Sequence, residues 1–111
     1  EDGVSKAEKP FALVLCGIFL AKYKSCNKKL VVRVNPLDEG GVEEIRYITR
    51  FMPDAIRVSK VKDKNDIDKI LKLVDKDIDI HLSIETAQAW NNMLELGKDN
   101  RVKVFYLGIL D

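Results

Sequence analysis

The stretch Ile80-His81-Leu82-Ser83-Ile84-Glu85 decides the fold, because apolar and polar side chains alternate along it and it ends in a carboxylate. This alternation is typical of a β-strand that packs one face on a core. Three similar runs occur along the chain: Val31-Val32-Arg33-Val34-Asn35, Ala55-Ile56-Arg57-Val58-Ser59-Lys60, and Val102 through Leu107. Each run leads into polar or charged residues. Since parallel α/β folds bind ligands beyond the carboxyl ends of their strands, the sequence predicts a site there.

Helical segments alternate with these strands. Their apolar residues recur every three or four positions. The stripes are Phe11, Leu15, Ile18 and Phe19; Ile45 and Ile48; Ile67, Ile70, Leu71 and Val74; and Ala87, Trp90 and Leu94. We expect these stripes to be buried, with helix starts marked by the capping-box spacing of Ser5 and Glu8, by Asp63 and by Thr86. The order of elements, helix then strand four times over, predicts parallel crossovers.

Strand phase predicts which side chains share a face. His81, Ser83 and Glu85 lie on one side of their strand, while Ile80 and its apolar neighbours lie on the other. The polar side is expected to line a barrel mouth or a cleft, because a sheet covered on both faces would be apolar on both. His81 lies deeper than Glu85, so we interpret it as a hydrogen-bonded core histidine.

Composition limits the function classes. The chain has 111 residues, of which 46% are hydrophobic and 33% charged, the balance of one globular domain over residues 1–111. Nineteen basic and eighteen acidic residues give a net charge of +1. The lysines are mixed with aspartates, so neither nucleic acid nor an anionic membrane is indicated as a partner. We expect small-molecule or protein partners.

The longest apolar stretch runs from Phe11 to Ala21 and is too short to span a bilayer. We interpret it as a buried helix. Cys16 and Cys26 lack the spacing of a metal or redox site. Two unpaired cysteines fit a reducing compartment, so a cytoplasmic location is predicted.

Five short motifs follow one another at the strand ends. They are Glu1-Asp2-Gly3-Val4, Val32-Arg33-Val34-Asn35, Ser59-Lys60-Val61, Ile84-Glu85-Thr86-Ala87 and Gly108-Ile109-Leu110-Asp111. In this order they resemble the Glu-Asp-Ala-Val, Val-Arg-Val-Asn, Pro-Lys-Val, Ile-Glu-Thr-Ala and Gly-x-x-Asp motifs of citrate lyase beta subunits and of the related citryl-CoA and malyl-CoA lyases. Gly3 and Ser59 depart from the family pattern, which has alanine and proline there.

The resemblance implies an α/β fold that is a partial (βα)8 TIM barrel, from about the end of strand 2 to strand 6. A whole barrel needs about 250 residues. The sequence begins at Glu1 without methionine and stops on Asp111 at a strand tip. We therefore expect both ends to be cuts in a longer enzyme and this chain to be inactive alone.

The implied reaction is Mg²⁺-dependent cleavage of a 3-hydroxyacyl-CoA thioester, such as citryl-CoA or malyl-CoA, to an acyl-CoA and an α-keto acid. By motif, Glu85 and Asp111 would be the metal ligands. Carboxylate oxygens suit that hard ion, which would polarise the keto oxygen as a Lewis acid.

Four more residues take catalytic roles by the same resemblance. Arg33 would bind the substrate carboxylate or the developing oxyanion with its planar, permanently charged fork. Glu1 and Asp2 would orient waters or Arg33, and Lys60 would add a positive contact at the next strand end.

Partners and alternatives complete these expectations. Unpaired parallel edges would favour a homo-oligomer or membership of a lyase complex. Three other interpretations remain open: a flavodoxin-like or receiver-like domain, a non-catalytic barrel fragment acting as an interaction module, and a metal-dependent aldolase of the pyruvate type.

Overall fold

A computed structural model describes residues 8–24 and 26–108. The helices are α1 (Lys9–Tyr23), α2 (Gly41–Ile48), α3 (Lys64–Leu73), α4 (Ala87–Asn91) and α5 (Met93–Leu96). The strands are β1 (Val31–Val34), β2 (Ala55–Val58), β3 (Asp79–Ile84) and β4 (Val102–Leu107). Short 3-10 turns, Leu37–Glu39 and Thr49–Phe51, flank α2.

The four strands form one parallel sheet in the spatial order β1-β2-β3-β4. Each strand therefore lies beside its predecessor in the chain, as in successive units of a (βα)8 barrel. Doubly wound folds of the flavodoxin type instead reverse direction at a switch point, which this order lacks. The predicted fold class, a parallel α/β sheet of the partial-barrel kind, is confirmed.

The core lies between one face of this sheet and the helices. Alternate strand residues supply it, among them Val34, Val58 and Leu82, which are paired in register across three strands. Ile45 of α2 and Ile70 of α3 are fully buried against them. The opposite face carries Arg33, Arg57, His81, Ser83 and Tyr106, and is called the polar face below.

The predicted apolar stripes are correct for α2 and α3 and wrong for the other helices. In α1 the predicted stripe is exposed, with Phe11 at 68%, and the buried residues are Gly17 and Leu20. The segment is apolar on nearly every side, so spacing alone did not identify the side that packs. The fourth helical segment divides at Asn92 into α4 and α5.

The predicted stripe of Ala87, Trp90 and Leu94 also faces solvent. Trp90 is 60% exposed and Leu94 is 92% exposed. Ala89, Met93 and Leu96 contact the core instead, at steps of four and three residues on another side of the segment. The expectation that Trp90 packs in the core is therefore wrong.

Two helix starts are as expected, and one differs. The Asp63 carboxylate accepts from the Asp66 amide at 3.3 Å, and the Thr86 hydroxyl accepts from the Ala89 amide at 3.1 Å. Glu8 lies at the N-cap of α1, without a side-chain capping bond, and not at the third helical position that a capping box needs. Ser5 lies outside the described residues.

None of the helices in the described ranges has the length and apolar character needed to cross a membrane.

Candidate active site at the carboxyl ends of the strands

Glu85 follows the last residue of β3 and lies against the end of β4. The Gly108 amide donates to the Ile84 carbonyl at 3.0 Å, which fixes the two strand ends side by side. A Cβ atom at Gly108 would lie 2.9 Å from the Glu85 Cγ atom, so a larger residue there would force the Glu85 side chain to shift. Asp111, the second predicted ligand, lies outside the described residues.

The chemistry of this strand end suits a hard divalent cation. Mg²⁺ binds through one or two carboxylates and keeps several waters, so it needs no cage of protein ligands. Glu85 is half-buried and offers such a carboxylate. Within residues 8–24 and 26–108, no group of three or more His, Cys, Asp or Glu side chains could hold a metal ion. The described part of the site therefore supplies one carboxylate.

Arg33 lies on the polar face of β1. It is paired in register with Arg57 of β2, which is in turn paired with His81 of β3. Three nitrogen-bearing side chains thus lie at one height across three strands. Glu1 and Asp2, the predicted supports of Arg33, lie outside the described residues, and their role stays a prediction.

Lys60 lies apart from these groups. Its backbone is in the left-handed region, with φ of 54°, a conformation that side chains other than glycine adopt at a cost. The residue lines a pocket of about 290 Å³ with Val42 of α2 and with Asp66 and Lys69 of α3. Lys60 is therefore on the helix side of the strand ends, and the structure does not bring it together with Arg33 or Glu85.

Arg57 and Tyr106 are polar-face residues that sequence reasoning missed. The Arg57 Nε atom donates to the Ser83 hydroxyl at 2.8 Å, and its guanidinium Cζ lies 3.8 Å from the centroid of the Tyr106 ring. The Tyr106 hydroxyl is 3.2 Å from His81 Nδ1. The available signal was Arg57 itself, which occupies the same position in its strand as Arg33 does in β1.

His81 is hydrogen-bonded, as predicted, but it is half-buried on the polar face and not part of the core. Its ring lies 5.7 Å from that of Tyr106. Burial lowers the pKa of His81 from its ordinary value of 6.5, and the positive charges of Arg57 and Lys29 lower it further, while Asp79 opposes them. The ring is consequently neutral at pH 7. Depending on the tautomer, its Nδ1 atom either donates a hydrogen bond to the Tyr106 hydroxyl or accepts one from it.

The end of β1 is fixed by a buried carboxylate. Glu44 of α2 accepts from the backbone amide and from the side-chain amide of Asn35, both at 2.8 Å. Gly40, at φ of 95°, and Gly41 form the turn that makes this possible. A Cβ atom at Gly41 would overlap the Asn35 carbonyl oxygen. The hydrogen bonds between Glu44 and Asn35 therefore fix the end of β1 that follows Arg33.

A parallel sheet in sequential order, with a carboxylate beyond β3 and arginines on the face away from the helices, defines an α/β protein of the barrel type with a strand-end site. The chain belongs to the HpcH/HpaI aldolase/citrate lyase family, whose family model matches residues 1–111. A search of the curated proteins finds no match. Membership confirms the resemblance at the level of the family and places the chain among carbon–carbon lyases.

Proposed function

We propose that this chain forms part of the active site of a lyase of the citrate lyase beta subunit type. The reaction would be Mg²⁺-dependent cleavage of a citryl-CoA-like or malyl-CoA-like thioester to an acyl-CoA and an α-keto acid. The observation that carries the proposal is the position of Glu85, whose side chain lies against Gly108 where two neighbouring strands end.

The role proposed for each residue follows from the chemistry of its side chain. Glu85 and Asp111 would hold Mg²⁺, which supplies Lewis-acid polarisation of the keto oxygen when bound. Arg33 would bind the substrate carboxylate and stabilise developing negative charge. Glu1 and Asp2 would orient Arg33 or waters, and Lys60 is given no role because it lies on the helix side of the strand ends.

A Mg²⁺ titration of the chain by isothermal calorimetry tests the metal assignment. Wild type is expected to bind Mg²⁺, and Glu85→Gln is expected to weaken binding at least about tenfold because it removes an ionised ligand. Glu95→Gln is the matched control, since Glu95 is exposed on α5 and away from the strand ends. Equal binding by wild type and the Glu85 variant would contradict the metal role and favour a non-catalytic interaction module.

An aldolase that acts on pyruvate-derived substrates without CoA is the second candidate. It is favoured by the family itself, whose description names aldolases beside citrate lyases. Such an enzyme would use the same kind of barrel and metal pair. Parallel assays with acyl-CoA thioesters and with free hydroxy-keto acids separate the two, because only the lyase requires the thioester.

A further inference from the structure

The exposed apolar side chains of this chain are concentrated at the two ends of the sheet. Among the residues that the structure describes, every exposed large apolar side chain belongs to β1, to β4 or to the helices that directly precede these two strands. They include Phe11, Ile18 and Phe19 of α1 at one end, and Trp90 of α4, Leu94 of α5 and Leu107 of β4 at the other. The middle units, α2 with β2 and α3 with β3, contribute none in the described ranges. Apolar surface that is exposed at both ends indicates a contact at each of them.

Both end strands also have a free edge. Within the described residues, β1 pairs only with β2, and β4 pairs only with β3. The outer N–H and C=O groups of such an edge are a template for one more strand. Because all four strands are parallel and follow chain order, the outer edge of β4 in one copy is suited to pair with the outer edge of β1 in another.

A groove of about 470 Å³ lies between α1 and β1. Cys16, Phe19 and Leu20 of α1 line one side of it, and residues 29–33 line the other. In a right-handed crossover, the helix that precedes a strand packs over that strand and over the position beside it. The groove corresponds to this position at the free edge of β1. It therefore has the location that a further parallel strand would take.

Charge distinguishes two ways of joining copies. Residues 9–37 contain six basic residues and no acidic residue, whereas residues 85–108 contain three of each. A contact of α1 with α1 would bring two strongly positive surfaces together, which is unfavourable. A contact between the α1 end of one copy and the β4 end of another avoids this repulsion. The charges therefore favour the second arrangement.

We infer that two copies of this chain close end to end into an eight-stranded parallel barrel. β4 of each copy enters the groove of the other copy and pairs with its β1, while α1 of that other copy packs over Leu107 and against α4 and α5. Two four-stranded sheets supply eight strands, the number at which side chains fill the interior of a barrel. A head-to-tail contact repeated about a two-fold axis closes, so no edge stays free.

Closure would also complete the ring of strand ends. The polar face of each sheet would form half of the barrel interior, and the strand ends of both copies would form one mouth. One copy supplies a single carboxylate, Glu85, among the described strand-end residues, and the second copy would add the same groups across the mouth. The inference goes beyond the proposed function and does not rest on it, since it follows from the strand edges, the exposed apolar side chains and the charges.

Sedimentation velocity of the full chain at a series of micromolar concentrations tests this assembly. Wild type is expected to reach a limiting mass of two copies. Ile18→Lys on α1 and Leu94→Lys on α5 should each raise the dimer dissociation constant at least about tenfold, because each change places a charge in both interfaces. Leu94 is 92% exposed in a single copy, so its replacement removes little packing within that copy.

Asn65→Lys is the matched control. It adds the same charge at an exposed position of α3, a helix of the middle units, and should dimerise as wild type does. Circular dichroism establishes that each variant is folded.

Three results would overturn the inference. A folded wild-type chain that stays monomeric would leave both ends to another segment or partner. Oligomers that grow with concentration beyond two copies would show that the contact does not close. A dimer that Ile18→Lys disrupts and Leu94→Lys leaves unchanged would indicate a contact of α1 with α1. Failure of the proposed function is seen separately, because the titration of the Glu85 variant measures Mg²⁺ binding and not mass.

Discussion

Replacing Glu44 by glutamine is expected to destabilise the protein by about 2–4 kcal/mol. Glu44 is 6% exposed and Asn35 is 4% exposed, and the carboxylate accepts two hydrogen bonds of 2.8 Å from Asn35. Glutamine has the same size but only one acceptor oxygen, so its NH₂ group would face one of the two Asn35 donors. A buried donor left without an acceptor costs about 1–3 kcal/mol, and the remaining bond loses its charge assistance.

Urea unfolding followed by far-ultraviolet circular dichroism measures this loss. At a slope of about 1.5 kcal/mol per M, the midpoint should fall by roughly 1.3–2.7 M. Glu43→Gln is the matched control, because Glu43 is the preceding residue of α2 and forms only an exposed pair with Arg46 at 3.1 Å. That change should alter stability by less than about 0.5 kcal/mol. Equal midpoints for the two variants would refute the assigned contact.

Three further predictions concern the turn, the polar face and the exposed helix. Gly41→Ala should lower the melting temperature by more than about 10 °C, because its Cβ would overlap the Asn35 carbonyl oxygen, and an unchanged melting curve would contradict this. Burial lowers the pKa of His81, so the unfolded state takes up the proton first and stability should fall as pH drops below 6.5. When stability is measured by urea unfolding at a series of pH values, His81→Gln should reduce the fall in stability below pH 6.5. An equally steep fall in the variant would contradict the assignment of this pH dependence to His81. Ile18→Lys should reduce self-association measured by light scattering, since Ile18 is 57% exposed on α1 and would be a contact between copies; unchanged oligomers would exclude α1 as that contact.

Much of the fold was predictable because its signals are local. Alternation along β3 gave one apolar and one polar side, and the Asp63 and Thr86 caps mark helices within three residues of themselves. Glu85 was identified from its motif and its place after a strand. Local chemistry could not give the packing of α1, because a helix that is apolar all round offers no contrast by which to choose its buried side.

The sequence by itself determined the order of strands and helices, the polar ends of the strands and the carboxylate that follows β3. Only the tertiary structure decided that Arg57 reaches Ser83 and Tyr106, and that Gly108 makes room for Glu85. Alternation and capping depend on neighbours a few positions away. The Arg57 to Ser83 contact joins residues 26 positions apart, and such a meeting depends on the register between strands, which no short stretch of sequence contains.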